Sequence, residues 1–288
     1  WSSADLGLRV ASFSGLPAIC LLGFTSCSLA HAMGPVASAW QKAASALYVC
    51  GGFDGSQALS SAERFDPAVG AWEALPPLAQ GRYYAAAAVL AGRLHVCGGS
   101  DAQCALRSAE RFDPALGAWE PLPDLAQGRH SAAVAVLAGR LYVIGGSDRQ
   151  RALSSVERYD PAMRAWENLP ALAQARYAAT AAVLWGRLHV CGGCGEAGPG
   201  EAPQALSSAE RFDPATGVWE GWEAAPPMAQ ARYSAAAVLL QGCLYVCGGT
   251  DGRRALQSVE CYNPRAGLWQ PAPQLLQGRY AACAASLS

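Results

Sequence analysis

The side chains in this chain that could do chemistry fall into three groups: four histidines, one closely spaced cysteine pair, and a recurring series of glutamates and arginines. A metal centre needs converging ligands. His95 and His189 instead stand where other segments carry Tyr48, Tyr142 and Tyr245, and His130 stands where others carry Tyr83, Tyr177, Tyr233 and Tyr280. With His31 outside this pattern, the reading is structural, with no metal and no cofactor expected. Cys191-Gly192-Gly193-Cys194 has the Cys-x-x-Cys spacing of a redox dithiol. Cys191 occupies a repeated cysteine position and no helix follows it, so the pair reads as a core thiol beside a loop thiol. Glu63, Glu110, Glu157, Glu210 and Glu260 recur with Arg82, Arg129, Arg176, Arg232 and Arg279. A catalytic pair would occur once, so a structural ion pair in each repeat is expected and no residue is assigned a catalytic role.

The elements that must position these residues form a repeat. Gly-Gly pairs begin at Gly51, Gly98, Gly145, Gly192 and Gly248, with spacings of 47, 47, 47 and 56. The Glu series follows each pair, and Trp72, Trp119, Trp166, Trp219 and Trp269 follow each Glu by nine residues. The extra nine residues of the fourth repeat fall in two places, as loops tolerate and strands do not. In the second repeat the pattern predicts strands over Tyr83–Leu90, Arg93–Cys97, Ser108–Phe112 and Ala118–Pro121. Ala91-Gly92 reads as a tight turn between the first two, and Asp113-Pro114-Ala115-Leu116-Gly117 as the turn between the last two. Arg164 stands where other repeats place Gly in that second turn, a cost of about 1 kcal/mol if the position is left-handed. The first strand is apolar on both faces, which suits sheets stacked face to face. One Trp per repeat is placed to wedge between neighbours.

Composition agrees. The 288 residues are 52% hydrophobic and 15% charged with net charge -1, so there is ample core material and nothing that argues for nucleic acid or a membrane surface. The 11 cysteines are an odd number; Cys50, Cys97, Cys191 and Cys247 share one position, filled by Ile144 in the remaining repeat. They read as small buried apolar groups in a reducing, cytoplasmic setting. Residues 1–33 match nothing in the repeat; within them the apolar run Leu16 to Phe24 and the Ala-His-Ala ending at Ala32 have the outline of a signal peptide, and a misread segment is the alternative. Residues 34–288 are assigned to one repeat-built domain. The chain ends in Gly278-Arg279-Tyr280-Ala281-Ala282-Cys283, a lone first strand. Pairing it with the Leu47–Leu75 strands would close five blades; a sixth, upstream repeat is the alternative.

Gly-Gly, then Glu-Arg-Phe/Tyr-Asp-Pro, then Trp, at a period near 50, resembles the kelch repeat; the last pass departs slightly, as Glu260-Cys261-Tyr262-Asn263-Pro264. The resemblance is to the Kelch-like family of ubiquitin-ligase substrate adaptors and covers residues 46–288 in five passes. It implies an all-β, kelch-type β-propeller of four-stranded blades and a protein-protein interaction module rather than an enzyme. The BTB-type dimerising and cullin-binding domains of that family would lie outside this chain. Kelch-type sugar oxidases or isomerases and actin-binding kelch proteins are the alternatives. In the Kelch-like family, partner contacts come from the loop after Gly-Gly and from the two residues after the first-strand Arg. Carried to this sequence, the loop positions are Phe53, Gln57, Ser100, Gln103, Ser147, Arg149, Arg151, Thr250, Arg253 and Arg254, and the strand positions are Tyr83, Tyr84, His130, Ser131, Tyr177, Tyr233, Ser234 and Tyr280. Arg149, Arg151, Arg253 and Arg254 point to an acidic peptide segment as the partner.

Overall fold

The computed structural model describes residues 47–66, 69–195, 204–216, 218–221 and 227–281. Every regular element among them is a strand. The second blade runs Ala86–Leu90, Arg93–Cys97, Ala109–Asp113 and Ala118–Leu122, each antiparallel to the next. The third (Ala133–Leu137, Arg140–Ile144, Val156–Asp160, Ala165–Leu169) and the fifth (Ala236–Leu240, Cys243–Cys247, Val259–Asn263, Leu268–Ala272) repeat it. The fourth has Thr180–Leu184, Arg187–Cys191, Ala209–Asp213 and Val218–Gly221, plus a small ladder between Cys194–Gly195 and Gln204–Ala205. The first blade has three described strands, Leu47–Cys50, Ala62–Asp66 and Ala71–Leu75. First strands of successive blades lie side by side around a common axis, as in a propeller.

Local chemistry sets each corner. Ala91 and Gly92 both have positive φ (51° and 75°), as do Ala138-Gly139, Trp185-Gly186 and Gln241-Gly242. That is the turn whose twist matches a two-residue hairpin. At the third-to-fourth turn, Asp113 Oδ1 accepts the Ala115 N–H at 2.9 Å and Gly117 turns left-handed. Arg164 takes the same conformation at φ 49°, as its position in the repeat predicted. The Gly-Gly pair has a different reason: a Cβ on Gly98 would lie 2.3 Å from the Arg129 carbonyl of the next blade. Only hydrogen fits where one backbone meets the next.

The first strand begins at Ala86, not Tyr83, because Tyr84 is left-handed (φ 53°) and breaks the ladder. Tyr83 pairs instead with Ser100 as an isolated bridge. Blades stack as sheets with two apolar faces. Leu94, Val96 and Phe112 face Tyr48, Cys50 and Leu75 of the first blade, while Cys97, Ala109 and Leu122 face Leu141, Val143 and Tyr159 of the third. Each such large side chain contributes roughly 1.5–3 kcal/mol by burial. The tryptophans wedge as expected: Trp119 Nε1 donates to the Pro76 carbonyl of the preceding blade, and Trp166 Nε1 to that of Pro123, both at 2.8 Å.

The seam between the first and fifth blades differs. Leu47, Val49 and Phe65 are only half-buried, and Trp72 is 50% exposed. On the other side Tyr245 and Cys247 are half-buried, whereas Tyr142 and Cys97 at equivalent positions are buried. A C-terminal strand completing the first blade would set Arg279 against Glu63. Among the described residues both side chains are exposed and not paired with each other; Arg279 Nε reaches only the Gln277 carbonyl, at 3.5 Å. Five repeats are therefore present, but the described residues do not make the expected closure of the first blade. Ala282 and Cys283, where the strand pairing was placed, and residues 1–33 lie outside the described residues.

Candidate functional site

The Glu and Arg series builds one buried cluster in each of the second to fifth blades. Arg82 Nη1 donates to the carbonyls of Gly98 (2.8 Å) and Ser108 (2.9 Å), and Nη2 to Ser108 Oγ (3.0 Å) and Glu110 Oε1 (2.7 Å). Glu110 Oε2 accepts the Ala79 N–H at 2.9 Å. Arg129 with Glu157, Arg176 with Glu210 and Arg232 with Glu260 repeat the arrangement at 2.5, 2.8 and 2.6 Å. Burial pulls the Arg82, Arg129 and Arg176 pKa values down and the facing carboxylate works against it. An ion pair made the same way four times, buried and hydrogen-bonded to its own backbone, has no face open to a substrate. It is structural.

This cluster holds the loop after Gly-Gly. Gln80 bonds Ser108 Oγ at 3.3 Å through Oε1 and Asp101 Oδ2 at 3.1 Å through Nε2. Asp101 Oδ1 accepts the N–H groups of Gln103 (2.9 Å) and Cys104 (2.8 Å). Asp54, Asp148 and Asp251 fold their loops in the same way. These bonds lower the pKa of Asp54, chiefly through Ser56, to about 2, and the Asp251 carboxyl is lowered chiefly by the Arg254 and Arg253 N–H groups. Sequence reasoning did not pick out the Asp repeated in four of the five loops, nor the Gln two residues before each first-strand Arg, of which Gln80 and Gln127 tie their loops to the core. Both signals were present in the spacing.

The predicted residues divide on this frame. Ser100, Ser147 and Thr250 are buried, and their hydroxyls bond within their own loops: Ser100 Oγ to the Cys104 carbonyl at 3.0 Å and Thr250 Oγ1 to that of Arg254 at 2.9 Å, with Ser147 Oγ accepting the Arg149 N–H at 3.1 Å. They shape the loops rather than display a side chain. Gln57, Gln103, Arg149, Arg151, Arg253 and Arg254 are exposed. Arg149 donates to the Ala102 carbonyl of the preceding blade's loop. Arg151 and Arg254 lean on Asp148 and Asp251 at 3.5 and 3.8 Å, and the Arg253 guanidinium has no acidic partner among the described residues. A groove of about 600 Å³ runs between the second and third blades beside Gln103, Asp148 and Arg149.

The strand positions form the mouth of the axis. Tyr84, Ser131, Ala178, Ser234 and Ala281 are all left-handed, and each N–H from Ser131 onward donates to the carbonyl of its counterpart in the preceding blade at 2.7–2.9 Å. Phe53, Tyr83, Tyr84 and His130 stack in a continuous row, with ring centroids 5.3, 5.1 and 6.0 Å apart. Tyr84 and Tyr280 are the most exposed of these rings, at 42% and 60%. Burial, then the phenols of Tyr83 and Tyr280, raise the Tyr84 pKa. Tyr177 and Tyr233 are half-buried with raised pKa values, chiefly from burial. His130 is lowered by burial and by the Arg149 charge, so it is neutral at pH 7 and acts as a ring and hydrogen-bonding group. The structure thus gathers the strand positions and the exposed loop positions on one end of the blades.

The other candidates stay in the walls. His95 and His189 are buried and stack on Tyr159 and Tyr262 of the next blade. Cys191 is fully buried and its thiol is pushed up to about 12, which removes the thiolate that dithiol exchange requires. Among the described residues no group of three metal-binding side chains converges, and no helix is long and apolar enough to cross a membrane.

Comparison with known proteins gives three findings. The Kelch motif profile matches residues 44–79, 81–126, 128–173, 175–221 and 231–276. Kelch-like protein 33 of Homo sapiens is 43% identical over 82 residues, which is 28% of this chain and 15% of the length of that protein. The solved structure of YjhT superposes with a TM-score of 0.66 at 16% identity, over 83% of this chain and 84% of its own; that likeness is one of fold.

Proposed function

Because this chain belongs to the kelch-repeat family, we propose that it is a protein-interaction propeller that grips a partner at the loop mouth, and that it does not act as an enzyme. The observation that carries the reading is the continuous row Phe53, Tyr83, Tyr84 and His130, set on loops already folded by Asp54, Asp101, Asp148 and Asp251. Aromatic rings with arginine nearby are the side chains that concentrate binding energy, since they bury large area at little entropic cost. Loops folded before binding lose little freedom on contact. Arg253, with no acidic partner among the described residues, and Arg149 favour an acidic segment in the partner. The stretch similar to Kelch-like protein 33 supports the finer reading of a substrate-recognition part of a cytoplasmic ubiquitin-ligase adaptor, with the cullin complex engaged through domains outside this chain.

The test is selection of a displayed random-peptide library on the purified protein. Acidic sequences should be enriched, and their affinity should fall at least about tenfold, or 1.4 kcal/mol, in a Tyr83→Ala/Tyr233→Ala/Arg253→Glu variant whose thermal unfolding matches wild type. Peptides without acidic enrichment, or that bind the folded variant equally, overturn the assignment of this face.

A further inference from the structure

The groove of about 600 Å³ between the second and third blades is lined by two arginines, Arg107 from the second and Arg149 from the third. Neither belongs to the repeat. Arg107 stands where the other blades carry Ser60, Ser154, Ser207 and Gln257. Arg149 stands where the first, second and fifth carry Gly55, Ala102 and Gly252. A residue that fastens a blade recurs with the blades, as Arg82 and its counterparts do. A pair of arginines set in one groove does not follow from that need.

Both side chains belong to exposed residues, yet both are held. Arg107 Nε donates to the Leu125 carbonyl at 2.8 Å, and Arg149 Nη1 donates to the Ala102 carbonyl across the groove. Neither guanidinium bonds an acid among the described residues. Asp148 is the one acid in the lining, and its carboxylate is already occupied. Its Oδ1 accepts the N–H groups of Gln150 (3.0 Å) and Arg151 (2.9 Å), and its Oδ2 accepts Gln127 Nε2 (3.3 Å) and faces Arg151 Nε at 3.5 Å. Arg151 answers the charge of Asp148, so Arg107 and Arg149 leave the groove positive. The Arg149 backbone is left-handed at φ 78°, a conformation unfavourable to any residue with a Cβ. Backbone strain of this kind gathers at ligand sites.

A guanidinium without an acid of its own matches the oxygens of a carboxylate or phosphate, and the bonds are charge-assisted. One already fixed by a carbonyl loses less freedom on binding than a free one. The groove also adjoins the aromatic row. His130, the last ring of that row, bridges to Ser147 at the start of the Arg149 loop. We propose that this groove is an anion-binding subsite that seats one acidic side chain of the partner, a carboxylate or a phosphate monoester, between Arg107 and Arg149. The proposal rests on the reading of the loop face as a partner-binding surface and fixes where on that face the acid is recognised.

The test titrates two probes calorimetrically into the intact protein at low ionic strength: glutamate and O-phosphoserine, each acetylated and amidated so that the side chain is the only anion. Saturable binding of at least one is expected. Binding of both assigns the subsite to acidic side chains in general, and binding of one alone names which anion it takes. Arg107→Ser and Arg149→Gly each install the residue of another repeat, so the double variant should melt no lower than wild type. It should bind the probe at least about tenfold more weakly, having lost both guanidinium contacts. Arg253→Gly, which removes an exposed arginine elsewhere on the loop face, should leave the affinity within about twofold. The proposal is overturned if neither probe binds, if the double variant binds like wild type, or if Arg253→Gly weakens binding as much as the double variant. Those results would leave the interaction reading standing, because it is tested separately by peptide selection against the aromatic row.

Discussion

Replacing Arg129 by Met keeps a long, flexible side chain in place but removes every donor. Four bonds go: to the Gly145 carbonyl (2.7 Å), the Ser155 carbonyl (3.0 Å), Ser155 Oγ (3.0 Å) and Glu157 Oε1 (2.5 Å). The Arg129 and Glu157 side chains are 0% and 1% exposed, so water cannot replace what is lost. Removing one partner of a buried ion pair costs about 3–5 kcal/mol, because the other charge is left uncompensated. Two orphaned carbonyls add to this, so the upper half of that range is expected. For a domain of this size that is a fall in Tm of roughly 10 °C. Arg140→Met serves as the comparison: it removes a pair whose side chains are 41% and 20% exposed, and such surface pairs contribute little. Calorimetric or circular-dichroism melts of the two variants beside wild type read the difference. If Arg129→Met melts with Arg140→Met, the repeated cluster is not what fastens each blade, and the argument that it is structural fails.

Two further outcomes are expected. Arg164→Gly relieves a left-handed residue at φ 49° where Gly117 and Gly267 have φ of 63° and 66°; urea denaturation should show a gain of about 1 kcal/mol, and a loss would mean that the Arg164 side chain makes a compensating contact. Burial, with the Arg211 charge second, holds His189 at about 4 against 6.5 in the unfolded chain. The unfolded chain binds the extra proton between those values, so stability falls as pH drops through that window. His189→Tyr, the residue type of Tyr142 at this position, should make the loss between pH 7 and pH 4.5 smaller by roughly 2–3 kcal/mol; identical losses would show that His189 titrates normally.

What the sequence determined by itself was the repeat and nearly everything local. The repeat spacing locates the four main strands of a blade to within a few residues, because a turn such as Ala91-Gly92 and a capping Asp such as Asp113 act within a few residues. The Glu and Arg series was legible as an ion pair because it recurs, and the wedge role of Trp119 because an outer strand must meet its neighbour. Tertiary structure decided what depends on distant backbone. Tyr84 is left-handed because its carbonyl meets the Ser131 N–H of the next blade at 2.9 Å, and no local preference of tyrosine predicts that. Ser100 and Thr250 belong to the same loops as Gln103 and Arg253, yet only packing shows that the first two face inward. That Cys261 lies opposite Tyr245 needs the register of two strands separated by the whole loop after Gly248-Gly249, and sequence spacing carries no record of register. The lesser burial of Leu47, Val49, Tyr245 and Cys247, among the described residues of the first and fifth blades, is likewise decided by tertiary structure, since it depends on how distant blades meet.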